Sequence, residues 1–419
     1  MATRTIANGG GNWNTAGTWV EGAVPTSADA VVATATSGNL TVDITNAICL
    51  TFIMTGYVGT LTISGSNKLT VNSTITFVAG MSVTGDGNLT IGNTTATLTS
   101  GGLTIPFYVT FAGGTKALED NWTINNSAIA TASTTLTSNT LYISGGLTVN
   151  TGCSFGNSSN TIVMNGTGTI VTINTGSINS VIVFNTAGTI TIGALLRIAQ
   201  GITYTAGTID ASTNSSQLVL LQYQATINTN GITWYDVDWG DSSSRTLPLG
   251  SALTCSNELS LRCTTASDRI LTFSGAYNIT CGTLSLEGGI TVKIPAGRTI
   301  TAQNSIIAIS DQSYGTISLL SVTPSSAINL VYSGTAENMN IAGCIFTDVD
   351  ASGSSVPIFN WCGGALTRTT NIYNIDASDF PAVADVKDTV VYAGGAYEGT
   401  YAGTYAGGGS ISDVFGMVG

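Results

Sequence analysis

The chain has no histidine. That removes the commonest general base and metal ligand from any mechanism. Charge is almost as scarce: 8% of the 419 residues are Asp, Glu, Lys or Arg, against about a quarter in ordinary globular proteins. The 11 basic residues are scattered singly and the net charge is −12, which speaks against a basic groove for nucleic acid. No run of 18 apolar residues occurs, so no membrane-spanning helix is expected. The opening "MATRTIANGGGNWN" lacks the apolar stretch of a secretory signal. No phosphate-binding loop between strand and helix exists; Gly65 and Gly85 read as turn residues. The seven cysteines, Cys49, Cys153, Cys255, Cys263, Cys281, Cys344 and Cys362, are odd in number and form no Cys-x-x-Cys pair. They read as small buried apolar residues of a protein made in a reducing compartment, with a Cys255–Cys263 bridge across a turn as the alternative. Nothing implies a cofactor.

What remains is apolar (43%) or Gly, Thr, Ser and Asn. A disordered chain would need high charge and low hydrophobicity, and this one has neither. The composition suits short strands whose outward positions are Thr, Ser and Asn. The tripeptide apolar-Thr-apolar recurs at Leu40–Val42, Leu61–Ile63, Leu103–Ile105, Leu147–Val149 and Ile190–Ile192. Weaker copies lie at Val83, Trp122–Ile124 and Val171–Ile173. The mean step is about 21 residues, a solenoid-like length. Gly/Asn/Ser/Asp clusters such as "TGDGN" and "NTAG" punctuate the strands. Antiparallel sandwiches share the short strands but give no reason for one tripeptide to recur at near-constant spacing. Stacked coils do, because like residues then sit above like.

The fold expected is therefore all-β: a single-stranded parallel β-helix, or β-solenoid, of about 16 coils. Residues 1–37 form an N-terminal cap, 38–375 the β-helix and 376–419 a Tyr/Gly-rich assembly arm. The short segment "IGALLRIAQG" (192–201) is the nearest approach to a helix. Beyond residue 200 the period is harder to follow, and "ITWYDVDWGDSSSRTLPLG" (232–250) interrupts it. Inward positions such as Leu61 and Leu103 should tolerate no charge.

Candidate sites are few. Asp236, Asp238 and Asp241 form the densest acidic cluster, flanked by Trp234, Tyr235 and Trp239. Strand alternation puts Trp234, Asp236 and Asp238 on one face, where carboxylates beside an aromatic ring can hold a sugar or Ca²⁺. The structural alternative is an outward irregular loop with Trp239 turned into the core and Arg245 pairing Asp241. Asp348 and Asp350 form a second pair, on one face with Val349 opposite, or else a solvated turn. Catalytic and metal residues are assigned to none. The Asn-x-Ser/Thr triplets at Asn39, Asn72, Asn88, Asn121 and Asn278 read as products of composition and imply no glycan. In "AYEGTYAGTYAGGG", Tyr397, Tyr401 and Tyr405 share one face of an extended strand with the intervening glycines. With Ile411, Val414, Phe415 and Met417 in the apolar terminus, they are the expected docking residues of an arm that adds a strand to a neighbour.

Trp13, Thr18-Trp19, Gly22, Val24-Pro25-Thr26, Asp29 and Val31 resemble the opening of β-helical surface and phage proteins, including G8-like modules. Residues 338–361 resemble their closing coils, and 381–400 a short segment of phage tail, fibre and head-decoration proteins. The resemblance covers about a fifth of the chain, at its ends, and carries over no catalytic residue. It implies a structural virion component, a fibre or decoration protein made in the host cytoplasm and exposed on the particle surface. Such a protein forms homo-oligomers and contacts other virion proteins, with a host surface glycan as a further partner. A cell-surface adhesin or extracellular filament subunit is the alternative, and a polysaccharide-binding or depolymerising tailspike the third reading.

Overall fold

The computed structural model describes residues 1–221, 226–241, 243–263, 269–310, 315–361, 364–375, 390–392 and 397–399, with side chains as far as Ile375 except that of Asp241. The protein is a parallel β-solenoid, and helix among these residues is limited to two 3-10 turns, Ala16–Thr18 and Ala336–Asn338. The chain divides into two compact units, residues 1–235 and 236–419.

In the first unit most coils lay down three short strands, one on each face, and the later ones run longer, as in Val181–Ile192. Leu40 pairs with Leu61, Leu61 with Val83, Trp122 with Leu141, and Leu141 with Ile162. The first two pairings join one copy of the repeat to the next and the other two continue through Leu141 and Ile162, while the copy at Leu147 stands in a second column beside Ala128; each step is one coil, ~21 residues. One face shows how the repeat folds. Leu69, Leu89, Val109, Ala128, Leu147 and Ile170 stack in one column, and Val71, Ile91, Phe111, Ala130, Val149 and Thr172 in another. All of them are buried. Between them Thr70, Thr90, Thr110, Ile129, Thr148 and Val171 form the outward column. Strand alternation produces this sorting, and each inward Leu, Ile or Val contributes roughly 1.5–3 kcal/mol of burial. Phe52, Phe77 and Trp122 fill the interior with ring centroids 6.1 Å apart in each successive contact. The stretch read as nearest to a helix forms the strand Leu195–Ile198.

Corners need tight turns. Gly85 has φ +104°, and a Cβ there would lie 2.0 Å from the Ile63 carbonyl oxygen of the coil before, so only glycine fits. At the N-terminal end Thr3–Thr5 pairs with Ala30–Val32, and its outer edge is covered by the chain itself. Ile6 bridges antiparallel to Trp19, Ala7 donates to the Thr18 carbonyl and Val20 to that of Thr5. Trp13 and Trp19 meet edge to face at 5.1 Å and close the core. Buried Asp29 accepts from the Thr26 amide and hydroxyl, the Ala2 amide and Arg4. Burial works against its charge, but these donors prevail and hold the carboxyl below its usual range.

The second unit is built the same way with unequal coils. Ile279 pairs with Ile300, a step of ordinary length, and Leu253 pairs with Ile279 across a longer one. The step from Ile306 to Met339 is longer still, and that from Ile358 to Ile372 is much shorter. Insertions and deletions at the corners leave the strands stacked but erase the period. Residues 232–250 are part of the stack rather than an interruption: they contribute the strands Thr233–Asp241 and Arg245–Pro248.

Leu61 is completely buried, whereas Leu103 sits half-exposed just after a turn and is less inward than its tripeptide suggests. Leu61→Asp should therefore cost about 3–5 kcal/mol, because it buries an unpaired charge. Leu103→Asp should cost clearly less, and Ser66→Asp, at an exposed bend, within about 0.5 kcal/mol. Urea unfolding followed by circular dichroism measures all three. Equal midpoints for the two leucine variants would contradict the register.

Candidate functional site

The densest acidic cluster is built by Thr233–Asp241, whose alternation breaks in its middle. Trp234, Val237 and Trp239 are all buried, which simple alternation from Trp234 does not allow, so Trp234 shares no face with Asp236 and Asp238. Trp234 is fully buried in the first unit and offers no platform to a sugar. In the second unit Trp239 packs edge to face on Phe273 at 5.2 Å. Asp236 accepts from the Asn257 side chain at 2.8 Å and the Glu258 amide at 3.1 Å, one coil on. Asp238 is buried and ion-pairs with Arg262, also on the next coil. Both carboxylates thus join neighbouring coils. The side chain of Asp241 lies outside the described residues.

Asp348 and Asp350 do not share a face either. Asp348 has φ +55° and sits at a corner between the strands Ile345–Thr347 and Val349–Asp350. It is buried, takes a two-point grip from Arg368 and accepts from the Ser325 amide. The Arg368 guanidinium is the main reason its carboxyl is held below the usual range. Asp350 accepts from Ser352 within its own turn.

Other acids repeat the theme. Asp86 accepts from the Gly65 amide, and Asp120 from the Ser100 and Gly101 amides, across one coil step. Asp43 accepts from the Asn14 amide. Asp210 binds Ser212 and Thr213 in its own turn, which draws its carboxyl down to about 2. Among the described residues no three Cys, Asp or Glu side chains gather as metal ligands, and no helix is long and apolar enough to cross a membrane. Cys255 and Cys263 form no disulfide; they stand at opposite ends of one strand, Leu253–Cys263.

Three of the Asn-x-Thr triplets have a structural cause. The Asn39 side-chain oxygen accepts from the Thr60 amide at 2.9 Å, that of Asn121 from Thr140 at 3.0 Å, and that of Asn278 from Thr299 at 3.0 Å. Each bond reaches 21, 19 or 21 residues along the chain, one coil step. The asparagine caps the first amide of the next strand, and the threonine two residues on points outward. Composition alone does not explain these triplets.

One charged side chain escaped the sequence reading. Lys116 is fully buried on the strand Gly114–Leu118, beside Ala96 and Leu136 of the adjacent coils. Its amine donates to the Gly92 carbonyl at 2.6 Å and to that of Thr94. Burial pushes its pKa down to about 8. A single lysine amid threonines carries no sequence signal of an inward position.

Of the expected docking residues, Tyr397 falls in the strand Tyr397–Gly399, whose backbone pairs antiparallel with Val390–Tyr392. Tyr401, Tyr405, Ile411, Val414, Phe415 and Met417 lie outside the described residues. Comparison of the chain with protein families, curated proteins and solved structures finds no match.

Two outcomes are expected. Asn121→Ala, which strips the cap from Thr140, should cost about 1 kcal/mol, and Asn121→Asp much less. Urea midpoints decide, and an unchanged alanine variant would refute the capping role. For Lys116 the folded pKa lies below the unfolded value of about 10.4. Below pH 8 both states are charged and the burial penalty is complete; between about 8 and 10.4 only the unfolded chain holds the proton, so stability rises with pH. Wild type should gain on Lys116→Met across that window and not above it. A difference flat with pH would show that the amine does not titrate there.

Proposed function

We propose that the chain is a structural protein: a β-solenoid on a virion surface, acting as a fibre or decoration subunit that assembles with its own copies and with other virion proteins. The observation that supports this most is where the polar chemistry goes. Asp29, Asp86, Asp120, Asp236, Asp238 and Asp348 are committed to turn and coil-to-coil bonds, as are Asn39, Asn121 and Asn278. A depolymerase needs two carboxylates aimed at a glycosidic bond, and of the acids singled out in the sequence Asp236, Asp238, Asp348 and Asp350 are held by their own fold. A stack whose side chains chiefly hold the stack together is suited to a mechanical role. The resemblance of both chain ends to phage structural proteins points the same way.

In this reading residues 376–419 are the assembly arm, docking by strand addition with the tyrosines of 394–419 against a partner surface. The test has two parts. Antibodies to the protein should label the surface of purified particles in immunogold electron microscopy, and absence of the protein from such particles would reject the virion role. Deletion of residues 394–419 should leave a soluble β-rich protein that native mass spectrometry finds as a monomer, where the full chain is an oligomer. Unchanged assembly of the truncated chain would reject the arm.

A further inference from the structure

The described cysteines are all buried, but two of them stand in one column. Leu253 pairs with Ile279 and Thr254 with Thr280, the last pair before a register shift, so Cys255 and Cys281 each directly follow that pair on adjacent coils, and both are buried. The other registers do not stack cysteine on cysteine: Cys49 lies beside Val71, and Cys281 has Ala302 on its far side. Parallel strands place paired Cα atoms about 4.8 Å apart, inside the range of about 4.4–6.8 Å that a disulfide spans. Regular pairing would hold the two Cβ atoms slightly too far apart. Here the register shifts at Cys255, between Thr254 and Glu258, in one pairing and just after Cys281, before Thr283, in the next. Such irregularities bend and twist a strand locally and give the side chains room to close.

We propose that Cys255 and Cys281 are a cross-coil disulfide site, closed when the folded protein meets a low-molecular-weight disulfide such as oxidised glutathione. One thiolate attacks the reagent and releases one thiol; the second thiolate attacks the mixed disulfide and releases the other. Two S–H bonds are lost, one protein S–S bond forms, and the reagent leaves as two thiols carrying both electrons and both protons. The bond closes the loop of one whole coil, so it constrains the unfolded chain more than the native one. The neighbouring Cys281 thiol and burial both keep Cys255 protonated, raising its pKa. Exchange is therefore slow at neutral pH and speeds up as the pH rises, since only the thiolate attacks. The staple belongs to the finished protein in an oxidising setting, and its order is set by the fold rather than by thiol reactivity.

The full-length folded protein should be incubated with oxidised glutathione at mildly alkaline pH, then alkylated in denaturant without reduction, digested and analysed by mass spectrometry. Two fewer alkylatable thiols per chain are expected, with one linked peptide pair containing Cys255 and Cys281. The thermal midpoint should rise, and dithiothreitol should reverse it. Cys281→Ala, modest in size because Ala302 already occupies that column, should abolish both the link and the shift. Cys255→Ser gives the same readout should the alanine variant fold poorly. Retention of all thiols after prolonged oxidation, a link between other cysteines, or a stable glutathione adduct in place of the link would each overturn the proposal.

Discussion

Parallel stacking in register, at the spacing of one strand, is the constraint from which the rest follows. Each residue must be compatible with the residue one coil before and one coil after it, about 4.8 Å away. Apolar side chains meet that condition inward, and threonine meets it outward. Like charges do not, because a column of them would repel along its whole length. The scarcity of charge is thus a property of the stack itself. Where opposite charges meet across coils they pair: Asp238 ion-pairs with Arg262, and Arg262 stands beside Glu287.

Corners face the opposite problem. A turn exposes amides that no strand partner satisfies, and a buried amide left alone costs about 1–3 kcal/mol. Aspartate and asparagine supply the acceptors, reaching to the adjacent coil at Asp86, Asp120, Asn39 and Asn121. These are the residue types that also make catalytic and metal sites, so the corners of a solenoid imitate functional clusters when read along the chain. Asp236 and Asp348 are two such imitations, and what separates them from a site is the identity of the donor one coil away.

That difference explains how far the sequence could be read. In the first unit the coil length is nearly constant, so the tripeptide repeat exposes the period, although its copies fall in more than one column: Leu61 pairs with Val83, whereas Leu147 pairs with Ala128. In the second unit the steps range from the short one between Ile358 and Ile372 to the long one between Ile306 and Met339, and the strands persist without a period to announce them. Alternation misplaced Trp234 and the pair Asp348–Asp350, because a break in Thr233–Asp241 and a left-handed residue at Asp348 each shift a side chain to the other face. The Asn-x-Thr triplets held more information than their composition suggested, since the distance from each asparagine to its partner amide is the coil length. Lys116 was illegible: nothing in "GGTKALED" distinguishes an inward lysine from an outward one.

The interior exceptions are instructive because the stack gives them no help. Asn360 is fully buried, yet its side chain accepts from the Cys344 amide and donates to the Cys344 carbonyl and to Asn374. It pairs in register with Asn374 across the shortest coil step among the described residues. A coil that short has few apolar positions with which to choose its register, and a slip of one residue would turn its side chains to the wrong face. An interior amide with all its partners in place costs little, whereas the same amide displaced by one residue loses several bonds at once. Apolar columns specify register by accumulation over many positions; where a coil offers few of them, a single satisfied polar contact specifies it instead.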